Sequence, residues 1–290
     1  MSRLKILVTG SSGQLGKCIQ EISSQFTVYD FYFYSRPVFV LDDAETMEAV
    51  FASINPDVCI NCAAYTAVDK AETEKETAYN INAGGVGILA SLCKQYQTKF
   101  IHISTDYVFN GNASAAYKES DPVDPVNTYG ASKAEGERLA MQNNPASVII
   151  RTSWVYSLYG KNFVKTMISL MDQRDKINVV NDQTGSPTYA IDLAHAILHI
   201  IAHTEWVPGI YHYSNKGPIS WYEFAVGIQQ KINSNCEVNP IPTSSYPTPA
   251  KRPVFSVLDS SKIETIYGID IPFWKDSLDD CLHNYNSARN

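Results

Sequence analysis

Apolar residues in this chain come in short runs separated by longer amphipathic stretches, and the alternation is regular through the first half. Leu4 to Val8 reads as a strand, Gln14 to Ser24 as a helix and Thr27 to Phe33 as a second strand. Ala44 to Ser53 has helical spacing and stops at Asn55-Pro56, and Val58 to Cys62 is the next apolar run. A long helix is predicted over about Thr77 to Tyr96, a strand over Phe100 to Ser104, a helix from about Thr128 and a strand over Ser147 to Arg151. Strands that alternate with helices in this way form a parallel sheet covered on both faces, so the pattern predicts an α/β, doubly wound (Rossmann) fold.

The rhythm changes beyond Thr152. Prolines gather at positions 208, 218, 240, 242, 247, 249 and 253, and longer irregular segments separate the helices. Ser220-Trp221-Tyr222-Glu223 is a capping box that opens a helix to about Lys231, and Trp274 to Asn284 reads as a terminal helix. These features predict a smaller C-terminal, substrate-binding lobe. The expected division is 1–153 for cofactor binding and 154–290 mainly for substrate, with some later segments returning to the first domain.

Composition then narrows the function. The 290 residues carry 23 basic and 30 acidic side chains, a formal charge of −7, and such a balance argues against nucleic acid as the main partner. No apolar run approaches a membrane span, and the short one after Arg3 is no signal peptide, so the cytoplasm is the expected compartment. Six cysteines in apolar surroundings are expected to be reduced thiols. Cys59 and Cys62 have metal-site spacing, but on a strand positions three apart face opposite ways.

Chemistry enters directly after the first strand. Thr9-Gly10-Ser11-Ser12-Gly13-Gln14-Leu15-Gly16 sits between strand and helix, where glycines permit a sharp turn and close approach to a diphosphate, and the helix N-terminus offers free N–H groups to an anion. Dinucleotide binding is expected. The second strand runs into Ser35-Arg36 with no acid at its end, which favours NADPH and leaves NADH open, and Asp42 is a candidate partner for the adenine amino group. Asp30 lies mid-strand and reads as a rim or face residue.

Tyr129 and Lys133 lie four apart at a helix start and so share a face. An ammonium there stabilises a tyrosinate, lowering a phenol pKa normally near 10. A chance pair at this spacing arises about once in a chain of this composition, so context has to carry the assignment. Thr105 supplies it, at the carboxyl end of the strand Phe100 to Ser104, where catalytic groups of such sheets gather.

With these residues in place, the sequence resembles the extended short-chain dehydrogenases/reductases and, within them, is similar to the dTDP-4-dehydrorhamnose reductase family. The likeness rests on Asn61 to Glu72, Ser104 to Phe109, Arg151 to Tyr156, Asn181 to Thr188 and Tyr246 to Pro253. It implies that Thr105, Tyr129 and Lys133 are catalytic, with Tyr129 protonating the C4 oxygen of a sugar nucleotide while NADPH gives hydride to C4. It implies cofactor contacts from Gly10, Ser12, Gly13, Gln14, Leu15, Gly16, Ser35, Arg36, Asp42, Ala63, Ala64, Tyr65, Asn82, Tyr129 and Lys133. Substrate contacts would come from Val68, Thr105, Asp106, Tyr107, Trp154 and Arg252. Related dehydratases carry an acid where Tyr107 stands, which favours reduction.

Some members of the family hold Mg²⁺ between two subunits through glutamates, and the matching positions here are Cys18 and Ile191, poor ligands for a hard cation. No metal is expected at either place, nor at His195, His199 and His203, which fall around the face of a helix over Ala190 to His203 opposite its apolar stripe. A homodimer is left open. Two other readings stay in play: a different sugar-nucleotide reductase or epimerase, and a non-catalytic regulatory subunit resembling that of methionine adenosyltransferase.

Overall fold

A computed structural model describes residues 3–287, so the ends of the expected division, at 1 and 290, fall outside it. Six strands form the central sheet: β1 (Leu4–Thr9), β2 (Tyr29–Tyr34), β3 (Val58–Asn61), β4 (Lys99–Thr105), β5 (Val148–Thr152) and β6 (Gly209–His212). Their order is β6-β5-β4-β3-β1-β2, every neighbouring pair parallel. This is the doubly wound arrangement, with its last strand drawn from the second half of the chain.

The period of two along each strand divides the core. Ile6, Val8, Ile60, Ile101 and Ile150 face one side, where α1 (Gln14–Ile22) packs with the apolar helix Ala190–Ala202. Leu7, Cys59, Phe100 and Ile149 face the other, covered by α2 (Ala44–Ile54) and, further on, α3 (Val86–Gln95) and α4 (Thr128–Asn143). Cys59 and Cys62 accordingly pack in different clusters on opposite faces, and all six cysteines are free thiols.

The helix expected over Thr77 to Tyr96 is interrupted. Lys75–Tyr79 and α3 are α-helical, but Asn80–Gly85 between them forms a wide π turn. The cause is tertiary: a Cβ on Gly136 of α4 would lie 2.0 Å from the Asn82 carbonyl oxygen. The two helices approach so closely there that the local spacing yields to the packing.

A third core lies in the second lobe, where Met167, Ile168, Ile177, Phe224, Trp274 and Leu278 pack together. It joins α5 (Phe163–Gln173), α7 (Trp221–Lys231) and α8 (Trp274–Ser287), touched by α6 (Ala190–Ala202) through Ile191, and Lys176–Val180 pairs in parallel with Glu237–Ile241 beside it. Ser220 and Glu223 cap α7 reciprocally, as the capping box predicts. His195 and His199 are exposed on α6, and the His199 ring is 2.7 Å from the Tyr267 carbonyl oxygen. Among the described residues no group of three or more His, Cys, Asp or Glu could hold a metal ion, and no helix is long and apolar enough to cross a membrane.

Candidate active site

The strand register aligns the carboxyl ends of the sheet. Thr9 lies between Tyr34 and Asn61, Asn61 beside His102, and Thr105 beside Thr152. Beyond that edge opens a cleft of about 870 Å³, the position ligands take in open α/β sheets.

The phosphate loop forms one wall. Gly10 has φ +64°, and a Cβ there would lie 2.5 Å from the Ala63 nitrogen, so only glycine lets the first turn pass under β3. Gly13 is the N-cap of α1 and brings no side-chain acceptor, which leaves the first-turn N–H groups for an anion. Gln14 reaches across to the second lobe, its Oε1 accepting from Ser157 Oγ at 3.0 Å and Asn162 Nδ2 at 2.9 Å. That bridge brings Gly160 and Lys161 to the cleft wall. The cradle fits a dinucleotide diphosphate.

Of the residues expected to bind cofactor, Gly10, Ser12, Gly13, Gln14, Leu15, Ser35, Arg36, Ala63, Ala64, Tyr65, Tyr129 and Lys133 line the cleft. Three stand outside its lining. Gly16 packs the loop, since a Cβ there would be 2.6 Å from the Gly10 carbonyl oxygen. Asn82 is fully buried and clamps the backbone of Tyr65, accepting from its N–H at 2.8 Å and donating to its carbonyl at 3.0 Å. Asp42 pairs with Arg36 at 3.2 Å on the exposed rim. Asp30 pairs with Arg3 near the opposite end of the sheet.

The reactive groups converge on the opposite wall. Asn127 caps α4 by accepting from the Gly130 N–H at 2.8 Å, and this fixes Tyr129 in the first turn with Lys133 one turn on. Thr105 ends β4; its hydroxyl donates to Asp106 Oδ1 at 3.0 Å and accepts from the Tyr107 N–H at 3.2 Å. Tyr107 meets Tyr129 edge to face, ring centroids 5.9 Å apart. Asp106 is buried, and its Oδ2 has no partner. Burial raises the Asp106 carboxyl to about 6, against the lowering effect of the nearby Ser256 and of the Thr105 hydroxyl.

One expectation is overturned here. The Tyr129 phenol is pushed up to about 12, not down, chiefly by burial, with Asp106 adding to the rise and the Thr105 hydroxyl opposing it. Lys133 does not lower it because its Nζ is held elsewhere, 2.6 Å from the Ile103 carbonyl oxygen and 3.1 Å from His102 Nε2. Burial also lowers the Lys133 ammonium to about 8, despite Glu137.

On the substrate side, Val68, Thr105, Asp106, Tyr107 and Trp154 line the cleft, while Arg252 stands behind it. Arg252 holds Asp69 bidentately at 2.9 and 2.8 Å, tying the loop after β3 to the second lobe and holding the Asp69 carboxyl below its usual range. Trp154 has φ +47° and stacks on Trp221 at 3.5 Å with an interplanar angle of 9°. Trp221 and Lys161 escaped the sequence reading. Trp221 was hidden inside a capping box, although Gly160-Lys161 between two aromatic residues was a signal that could have been taken.

The sheet order, the glycine turn and the Tyr–Lys pair beside a strand-end threonine define one class of protein, the extended short-chain dehydrogenases/reductases. A dTDP-glucose 4,6-dehydratase from Streptomyces venezuelae shares the fold, with a TM-score of 0.83 at 18% identity over 99% of this chain and 98% of that one. Within the class, the chain belongs to the RmlD family: the family model described as RmlD substrate binding domain matches residues 4–287. A dTDP-4-dehydrorhamnose reductase from Aggregatibacter actinomycetemcomitans is 42% identical over 94% of this chain and 97% of its own length. The spore coat polysaccharide biosynthesis protein SpsK of Bacillus subtilis is 40% identical over 98% and 99%. A solved dTDP-4-dehydrorhamnose reductase from Bacillus anthracis, in complex with NADP, superposes with a TM-score of 0.94 at 38% identity, covering 97% of this chain and 99% of that one.

Proposed function

We propose that this protein reduces the C4 keto group of dTDP-4-dehydro-L-rhamnose with NADPH, giving dTDP-L-rhamnose. The observation that carries the reading is the convergence of Tyr129, Thr105 and Lys133 on a cleft continuous with the phosphate loop. NADPH, when bound, supplies the hydride to C4. The loop Gly10 to Gly13 and the start of α1 hold its diphosphate, and Arg36 is the cation for its extra phosphate. Tyr129 Oη gives its proton to the C4 oxygen as charge develops there, and Thr105 orients that oxygen. Lys133 binds the nicotinamide ribose, where its ammonium stabilises the Tyr129 phenolate until that phenolate takes a proton back from solvent. Asp106 Oδ2, buried without a partner, accepts from a sugar hydroxyl. Val68, Tyr107 and Trp154 pack on the sugar, and Arg252 pairs with the substrate diphosphate once Asp69 yields it.

The relatives named as reductases, and the one solved with NADP, support this assignment. An intact Thr105, Tyr129 and Lys133 in one cleft weighs against a non-catalytic subunit. The reading implies a cytoplasmic enzyme, and assembly as a homodimer is tested by sedimentation equilibrium. The decisive assay follows loss of NADPH absorbance with dTDP-4-dehydro-L-rhamnose against other keto-sugar nucleotides. Turnover of the rhamnose precursor is expected, and its absence would reject the proposal.

A further inference from the structure

His102 is fully buried on β4, and the mechanism above makes no use of it. Its surroundings fix which ring nitrogen carries the proton. The Ala63 backbone N–H, which can only donate, points at Asn61 Oδ1 at 3.1 Å, and Thr9 Oγ1 lies 2.6 Å from the same oxygen. Asn61 therefore turns its amide nitrogen to His102, and Nδ2 donates to His102 Nδ1 at 3.0 Å. A ring whose Nδ1 accepts is neutral and carries its hydrogen on Nε2, the atom 3.1 Å from Lys133 Nζ. An ammonium has no lone pair to meet that N–H; a neutral amine has one, and still donates to the Ile103 carbonyl oxygen at 2.6 Å.

We propose that His102 is a positioning residue that favours the neutral amine of Lys133 through Nε2–H in mildly alkaline solution, so that Lys133 there takes up a proton when it turns from His102 to the cofactor ribose. The chain Thr9–Asn61–His102 thus links β1, β3 and β4 to the charge of the active-site lysine. The balance is simple: one proton from solvent adds to Nζ, and the His102 tautomer does not change.

The other ionisable groups around Lys133 do not account for this arrangement. On α4, Glu137 favours the ammonium, but its carboxylate is spent on Arg151 of β5, at 2.7 Å, and on Ser104. Tyr129 on α4 and Asp106 and Tyr107 after β4 lie on the cleft side, Cys62 follows β3, and Glu72 bonds Thr128 at the start of α4. Burial holds His102 itself well below the usual histidine range, with Lys133 adding to the effect, which keeps the ring neutral. The lowering of Lys133 to about 8 agrees in direction.

The proposal rests on the NADPH reading, and the experiment separates the two. Nitrogen-15 NMR of the wild-type protein without ligand at pH 9, where Lys133 is the neutral amine, is expected to show His102 neutral with Nε2 protonated; a protonated Nδ1 there overturns the proposal. NADP⁺ is then titrated calorimetrically in buffers of different ionisation enthalpy. With Lys133 at about 8, uptake of about 0.9 proton is expected at pH 9 and under about 0.1 at pH 6.5. His102→Asn keeps an acceptor for Asn61 and removes the N–H that faces Lys133. In that variant uptake at pH 9 should drop to less than half, with NADP⁺ still bound. Equal uptake in both proteins overturns the role of His102 alone, whereas wild-type protein that fails to bind NADP⁺ overturns the cofactor reading and this inference with it.

Discussion

At the scale of single residues, the site separates groups that act from groups that place them. In the proposed reaction Tyr129 acts, giving its phenol proton to the substrate oxygen. Tyr129→Phe removes that proton and little volume, so turnover should fall by about 10²–10⁴ while NADPH affinity changes little; stopped-flow hydride transfer beside fluorescence titration checks both. Arg36 is exposed on the rim, where its partner Asp42 offers only a weak surface ion pair. A phosphate oxygen is the better partner for it. Arg36→Ala should weaken NADPH about tenfold or more and leave NADH nearly unaffected; equal losses in the two dissociation constants would refute the assignment.

Elements carry these residues to one another, and here sequence reading has a definite reach. The strands and the phosphate loop were legible because each is specified locally, by an apolar run bounded by turn residues or by glycines a few positions apart. The break at Asn80–Gly85 was not, because it is imposed by α4, some 50 residues later, through the missing Cβ of Gly136. The hold of His102 on Lys133 was hidden for the same reason: it joins a strand to a helix 31 positions on. Tyr129, Thr105 and Lys133 could be found from spacing and strand ends, whereas the direction of the Tyr129 shift depends on burial that spacing does not report. Gly136→Ala tests the element-scale contact. Its Cβ would collide with the Asn82 carbonyl, so α4 must move outward, costing about 1–3 kcal/mol and displacing Lys133 one turn away; urea denaturation and the KM for NADPH should both worsen.

For the molecule as a whole, buried ionisable groups set the response to acid. His212 is lowered to about 3 by burial and by Arg151, and His102 is also well below the usual range. Each takes a proton more readily unfolded than folded, so each costs stability as pH falls below 6.5. Asp106, raised to about 6, works the other way between 6 and 3.8, because there the folded form is the better proton acceptor. The histidines cost stability as pH falls from 6 toward 4, and the raised carboxyls Asp106 and Asp192 offset part of that cost. Melting temperature should therefore fall steadily over that range, and His212→Gln should flatten the slope; a protein that gains stability on acidification would contradict the account. The lobes meet at the cleft through Gln14 and the Arg252–Asp69 pair, and at its mouth lie Trp154 and Trp221, face to face at 3.5 Å. Two indoles so close share their electronic excitation, so the pair should give a split circular-dichroism band in the far ultraviolet, where the indole transition is strong. Any ligand that prises the rings apart would collapse that band, making the entrance to the cleft its own optical gauge.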